Sequence, residues 1–271
     1  MKIVFFTFYF PPDLSAGSFR SIAFSQSLKK RMKLGDKIDI ITSHPNRYKA
    51  HLIEAQDIEF DEMITIHRIN VPSHTGSMFS QGYAFLIFAI SAFNLCRKIK
   101  PDFLIGTSSR LMTATLTWIS ASYLKKRYFI DLRDIFSETI SDIFMQKNRL
   151  LGLITKHFFI KLEKYVLNSA AGVNVVSEGF PEYFENNGID TSNWFFFPNG
   201  VDQNFVDFPA QKTGLKKSIK TILYAGNIGK GQGLEKVIPV IAKSLGFEYQ
   251  IKIIGDGGAI SLLRDLINKE N

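Results

Sequence analysis

Residues 1–20 read MKIVFFTFYFPPDLSAGSFR. The run Lys2–Tyr9 is made of the β-branched and aromatic residues that suit a pleated strand, and Pro11-Pro12 stop it because proline offers no ladder N–H. Ser15, Ala16, Gly17 and Ser18 then open a helix, whose first backbone N–H groups lack intrahelical partners and can face an anion. The same spacing also fits an ordinary strand-to-helix turn. Either way the chain begins as a βα unit, and the missing GxGxxG removes support for a dinucleotide oxidoreductase.

Moving outward, apolar β-branched runs alternate with helical patterns, the mark of repeated βαβ units. Strands are expected at Lys2–Tyr9, Lys37–Thr42, Met63–Asn70, Phe103–Gly106, Tyr128–Leu132, Gly172–Ser177 and Trp194–Phe197. Helices are expected at Gly17–Met32, Phe79–Ile99, Leu111–Leu124, Leu150–Asn168 and Phe180–Asn187, the first and fourth with Lys and Arg beside an apolar stripe. These seven strands complete one doubly wound α/β sheet. A polar stretch through Gln211–Lys217 reads as a linker, which divides the chain into a domain over 1–208 and the start of another over 209–271. The second holds strands Thr221–Ala225 and Tyr249–Ile254 and helices Leu234–Ser244 and Ala259–Asn268, too few to complete a Rossmann domain. Such a fragment is expected to be less stable than the first domain, with helix faces and strand edges uncovered.

Composition narrows the function classes. Lys and Arg total 33 against 25 Asp and Glu, a net charge of +8, which favours phosphates on a nucleotide, a nucleic acid or a membrane. The aromatic run Trp194–Phe197 has no interleaved Arg or Lys and reads as a buried strand, so nucleic-acid binding is not expected. The lone Cys96 excludes an internal disulfide and reads as a small buried apolar residue. Five scattered histidines carry no metal-ligand spacing, and no metal is expected. Tyr83–Cys96 is apolar but shorter than the roughly 20 residues of a membrane span, so a buried helix is expected. Met1 leads straight into a strand without signal-peptide order, which points to the cytoplasm.

Three segments can carry chemistry. The first is the loop before Gly17. The second is Asp131-Leu132-Arg133-Asp134, at the end of a strand, where α/β sheets gather functional groups. There an Asp can bind a sugar hydroxyl and Arg133 can pair with it or meet a phosphate, or an Asp–Arg pair can simply fix the loop. The third is Tyr224–Leu234 (YAGNIGKGQGL), which brings four glycines between strand and helix, so that backbone amides and Lys230 can approach a diphosphate; a ligand-free flexible loop is the plainer reading. Gly255-Asp256-Gly257-Gly258 reads as a structural turn.

Taken in order, YFPPDLSAGSFR (9–20), DLRDIFSE (131–138), VNVVSEGFPEYFENNGI (173–189), FFPNGVD (196–202), LYAGNIGKGQGLEKVI (223–238) and IIGDGG (253–258) resemble the pattern of glycosyltransferase family 4, especially bacterial cell-surface polysaccharide and O-antigen transferases. The resemblance implies a GT-B fold, one complete Rossmann-like domain followed here by an incomplete second. It implies sugar transfer with retention from a nucleotide-sugar, a UDP-sugar being expected, to a lipid-linked or polysaccharide acceptor. No metal or other cofactor is implied. By position, Gly17 matches the N-terminal cleft glycine, with Arg20 on the helix it opens, and Asp134 matches the residue supporting the transferred sugar. Asp131 and Arg133 fall in the same cleft loop. Asn199 and Gly200 match the loop toward the hinge; Gly226, Asn227, Lys230, Gln232 and Gly233 match the loop that receives the diphosphate.

The sequence departs from the family where Asn227 and Gln232 replace a common Arg and Lys, and it stops at Asn271 before the family's paired-glutamate region. The second departure opens the alternative of an inactive remnant acting as an acceptor or membrane module. Basic helices are expected to favour peripheral contact with the inner face of the plasma membrane.

Overall fold

The computed structural model describes residues 1–46, 54–72, 78–108, 111–135, 137, 149–201, 206–207, 219–246 and 248–270. Two compact units emerge, Met1–Asp202 and Gln203–Asn271. The expected linker around 211–217 lies outside the described residues.

The first unit is built on β1 (Lys2–Phe6), β2 (Lys37–Ser43), β3 (Ile58–Asp61), β4 (Ile64–Ile69), β5 (Phe103–Ser108), β6 (Arg127–Leu132), β7 (Gly172–Val175) and β8 (Trp194–Phe196). They order as β3-β4-β2-β1-β5-β6-β7-β8, all parallel except β3 against β4. Reversal of strand order on either side of β1 makes the gap between the carboxyl ends of β1 and β5 the topological switch point, where open α/β sheets place ligands.

Alternation in β1 explains how the sheet is covered. Val4 and Phe6 point into a core shared with α2 (Met78–Ile99), α3 (Leu111–Leu124), α4 (Arg149–Asn168) and α5 (Phe180–Asn186). Ile3 and Phe5 point into a second core closed by α1 (Ala16–Lys29). Each buried Ile or Phe contributes about 1.5–3 kcal/mol relative to exposure, so a one-residue slip of β1 would exchange the two faces at prohibitive cost.

Four features differ from the sequence reading. The aromatic run Trp194–Phe197, expected as a buried strand, forms the edge strand β8 over Trp194–Phe196, and Phe195, Phe196 and Phe197 are 48%, 43% and 57% exposed because an edge strand is covered on fewer sides than a central one. The sheet has eight strands rather than seven, because β3 folds back on β4 through a tight turn in which Glu62 takes a positive φ of 49°. This edge strand, with the residues IEFD, has too little apolar alternation to stand out. Helix α1 buries Ser18, Ser21 and Ser25 instead of a purely apolar stripe. Ser21 Oγ satisfies itself on the Gly17 carbonyl and lies 2.8 Å from Thr7 Oγ1, and small side chains let the helix approach the strand end closely. Finally, α2 is not buried all round: Ala84, Phe85, Phe88, Ala92 and Cys96 form its inner stripe, while its outer stripe is exposed. By length and composition α2 could cross a membrane, but that inner stripe packs on the sheet of this fold.

The second unit pairs β9 (Lys220–Ala225) in parallel with β10 (Tyr249–Ile254) and adds α6 (Leu234–Ser244) and α7 (Ile260–Glu270). Its small core gathers Ile228, Leu234, Ala259 and Leu263, whereas Val237 and Val240 on α6 stay exposed.

Candidate functional site

In the first unit the candidate site assembles at the switch-point edge. Ser15 caps α1, its Oγ accepting from the Ser18 N–H at 3.1 Å, and sets Gly17 into the first turn. The loop before it is tied to the far edge of the sheet: Arg68, buried in β4, donates from Nη2 to the Pro11 carbonyl at 2.7 Å and from Nε to Glu59 at 3.0 Å. Asp13, also buried, accepts from the Asn46 N–H at 3.1 Å.

Asp131 lies at the carboxyl end of β6 with only 1% of its side chain exposed, and its two oxygens receive four donated hydrogen bonds. Arg20 supplies two of them, Nε at 2.8 Å and Nη2 at 2.7 Å; Thr107 Oγ1 supplies one at 3.0 Å and Asn174 Nδ2 one at 2.6 Å. The remaining capacity of the Arg20 guanidinium goes to the carbonyls of Phe197 and Pro198 and to Asn199 Oδ1, at 3.0, 3.2 and 3.1 Å. Asn174 Oδ1 accepts from the Phe197 N–H at 2.8 Å and closes the circuit.

The expectation that Asp131 offers its oxygens to a ligand, or pairs with Arg133, is therefore corrected. A carboxylate carrying four donors has no oxygen left for a sugar, and its bidentate partner is Arg20, one turn into α1. The network fixes the start of the loop that holds Asn199 and Gly200. Sequence reasoning missed Asn174, Thr107 and Arg68; the detectable signal was a polar residue within an apolar strand, as in Val173-Asn174-Val175.

Arg133, immediately beyond β6, stands apart from this circuit. It is partly buried, its Nε is buried without a hydrogen-bond partner, and no ion pair engages it among the described residues. Burial holds its pKa below the ordinary arginine value, against the opposing pull of Asp131 and Asp134. A guanidinium nevertheless stays charged at neutral pH. A methyl group placed on Gly17 would sit 3.1 Å from Arg133 Nη1, so the glycine is what lets the guanidinium lie against the first turn of α1. Asp134 follows on the exposed side. After it, Ser137 is held by the buried Glu163 of α4, which accepts from its N–H at 3.2 Å, and by Tyr183, 2.9 Å from its Oγ.

The glycine-rich loop of the second unit uses part of its own backbone. Gly226 donates its N–H to the Ile254 carbonyl at 2.9 Å and Ile228 donates to the Asp256 carbonyl at 2.8 Å. This corrects the assignment of the Gly226 amide to a diphosphate. Asn227 Nδ2 bonds Gln232 Oε1 at 3.3 Å, across the short 3-10 turn Lys230–Gln232. Gly233, at φ 61°, caps α6 without a side-chain hydrogen bond, which leaves an open helix N-terminus. The Lys230 side chain lies outside the described residues. Gly255 is required by close approach, since a Cβ there would fall 1.8 Å from the Gly226 carbonyl oxygen. Among the described residues no cluster of His, Cys, Asp and Glu could hold a metal ion.

No protein-family model matches the chain. Among characterised proteins it is similar to the putative colanic acid biosynthesis glycosyl transferase WcaI of Escherichia coli (strain K12), 26% identical over 190 residues, which is 66% of this chain and 46% of that protein. The chain thus spans less than half the length of that relative. Among solved structures it matches sucrose-phosphate synthase from Thermosynechococcus elongatus, with a TM-score of 0.69 at 12% identity over 99% of this chain and 68% of that one. It also matches Anabaena HepE in complex with UDP and glucose, with a TM-score of 0.60 at 15% identity over 99% of this chain and 65% of that one. A mixed α/β chain with a large parallel sheet of this order has the fold of the GT-B glycosyltransferases.

Proposed function

We propose that the chain is the acceptor-side domain and the beginning of the donor-side domain of a glycosyltransferase that moves a sugar from a nucleotide-sugar, a UDP-sugar, to a lipid-linked or polysaccharide acceptor. In that transfer the bond from the sugar's anomeric carbon to the donor phosphate breaks and a bond to the acceptor hydroxyl oxygen forms. The hydroxyl proton passes to the leaving diphosphate, and configuration is retained. The observation that carries the reading is Arg133: a partly desolvated guanidinium whose Nε is buried without a hydrogen-bond partner and which makes no ion pair among the described residues, set against the first turn of α1 at the switch point, is a cation waiting for a phosphate. The likeness to WcaI and to a UDP-bound structure of the same fold supports the choice of ligand class.

In this reading Asp134 supports the transferred sugar, and the open N-terminus of α6, with Asn227, Lys230, Gln232 and Gly233, favours the leaving diphosphate. The family 4 and O-antigen assignments, and a place at the inner membrane face, belong to the same proposal.

The test is ligand-observed NMR titration of the 271-residue chain with UDP and a panel of UDP-sugars. Saturable binding is expected, weakened about tenfold or more in Arg133→Ala through loss of a charge-assisted contact. Asp134→Ala is expected to keep UDP binding while losing discrimination among sugars. A folded chain that binds none of these ligands refutes the donor assignment and leaves an acceptor or membrane module. Conversion of the sugar in place, without an acceptor, would show an epimerase instead.

A further inference from the structure

The loop that follows β8 hangs on one side chain. Arg20 donates to acceptors from three consecutive residues, the carbonyls of Phe197 and Pro198 and Oδ1 of Asn199, while Asp131 holds the rest of its guanidinium. An arginine only donates, so the Asn199 carboxamide presents its oxygen to Arg20 and turns its NH2 the other way. No hydrogen bond engages that Nδ2 among the described residues, and Asn199 is exposed. With the acceptor end pinned and the donor end spare, the amide has lost its rotamer freedom before a ligand arrives, and a ligand that takes the NH2 meets little further ordering cost.

Arg133 is anchored on the same face of the same helix. Gly17 and Arg20 stand three positions apart in α1, which sets them on one face, about 4.5 Å apart along the axis. Arg133 Nη1 lies against Gly17, 3.1 Å from where a Cβ would stand, and Asn199 is held by Arg20, so the two groups are anchored one turn apart. The charge of Arg20 also works against that of Arg133, a repulsion that an anion at this face relieves. Neither the guanidinium nor the Asn199 NH2 has a lone pair to offer. Two fixed donors on one helix face suit a ligand that is all acceptor, and anchors a turn apart suit one that carries its oxygens on two linked phosphorus atoms.

We infer that the Asn199 carboxamide, set by Arg20, is a diphosphate-binding group that acts with Arg133: the guanidinium takes one phosphate and Asn199 Nδ2 donates to an oxygen of the other. The inference rests on the reading of Arg133 as a phosphate ligand and adds to it the residue that tells a diphosphate from a monophosphate. Arg20 is the positioning residue of the pair. It touches no ligand, because Asp131 and the Phe197–Asn199 loop take its donors, but it fixes which end of the Asn199 amide faces outward. A nucleoside diphosphate and a prenyl diphosphate offer the same oxygens to these two donors, and the rest of the molecule separates them.

The experiment is heteronuclear NMR titration of the nitrogen-labelled full chain with UDP, UMP and geranyl diphosphate, on wild type, Asn199→Ala and Asn199→Asp. The Asn199 NH2 signals, identified by their absence in Asn199→Asp, are expected to move downfield as UDP saturates. Asn199→Ala should bind UDP about tenfold less with UMP little changed, so that the preference for the diphosphate collapses. Asn199→Asp keeps an oxygen for Arg20 but puts a negative charge in place of the NH2, and should bind UDP more weakly still. Thermal melts check that both variants fold, as expected while Arg20 keeps its two bonds to Asp131. NH2 signals that stay in place at saturation, or an Asn199→Ala that binds UDP and UMP in the wild-type ratio, overturn the inference and leave the sugar-nucleotide reading standing. Equal losses for UDP and UMP would mark a structural effect and overturn it too. If geranyl diphosphate binds with the Asn199 shift and UDP does not, the seat stands as one for a lipid diphosphate and the sugar-nucleotide reading falls. A folded wild type that binds none of the three refutes both.

Discussion

Replacing Asp131 by alanine removes the acceptor of four hydrogen bonds at once. Arg20, with 10% of its side chain exposed, is left charged without its carboxylate, and Thr107 and Asn174 lose a partner each. Breaking one side of a buried ion pair costs about 3–5 kcal/mol, and orphaned buried donors about 1–3 kcal/mol each, though shared relaxation keeps these from adding fully. A loss of about 4 kcal/mol is a large part of the roughly 5–15 kcal/mol typical of a domain. For a unit spanning 202 residues it lowers Tm by about 8–16 °C. Urea unfolding followed by circular dichroism, with Arg20→Ala and the double variant, closes the cycle. The pair should show a coupling of about 2–3 kcal/mol, the double variant being much less damaging than the sum of the singles. If Asp131→Ala unfolds within about 1 kcal/mol of wild type, the circuit is not what holds the Phe197–Asn199 loop, and the reasoning fails.

Three further outcomes follow from the geometry. Arg133→Ala should leave stability within about 1 kcal/mol of wild type, because it removes a buried Nε that has no partner; a loss as large as that of Asp131→Ala would show a structural role instead. Gly255→Ala forces a Cβ into the Gly226 carbonyl and should destabilise the second unit by at least about 2 kcal/mol, read as faster hydrogen exchange in β9 and β10 with the first unit unchanged. Burial lifts the Cys96 thiol up to about 12, so it should resist thiol reagents until the chain unfolds. An acid whose folded pKa is raised stabilises the fold below its unfolded pKa and loses that contribution as pH rises toward the folded value. Wild type should therefore lose stability relative to Cys96→Ala between about pH 9 and 12, and a flat difference would refute the burial assignment.

Much of the fold was legible in residues 1–20 and their echoes. Strand alternation, proline stops and helix periods are local signals, and they named seven strands of the first sheet and its helices with small errors at the ends. β3 escaped because Ile58-Glu59-Phe60-Asp61 is an edge strand whose pairing, not its composition, makes it a strand. The serine stripe of α1 escaped because its burial depends on how closely β1 approaches, which no helical period encodes.

For the site, sequence located the right sheet edge but could not sort its charges. Asp131, Arg133 and Asp134 sit within four residues, and a strand end alone does not say which is inward. That was settled by partners distant in the chain: Arg20 lies 111 residues from Asp131, and Asn174 lies 43. Likewise four glycines mark a loop that can approach a phosphate, but whether their amides are spare depends on the neighbouring loop, where Ile254 and Asp256 take two. The sequence by itself determined the elements, the α/β class and the excess of positive charge, because these rest on near neighbours and composition. Only the tertiary structure decided that Asp131 is sequestered, that the Arg133 Nε is buried without a hydrogen-bond partner among the described residues, and that α2 keeps an exposed outer stripe, because desolvation and pairing are properties of what packs against a residue.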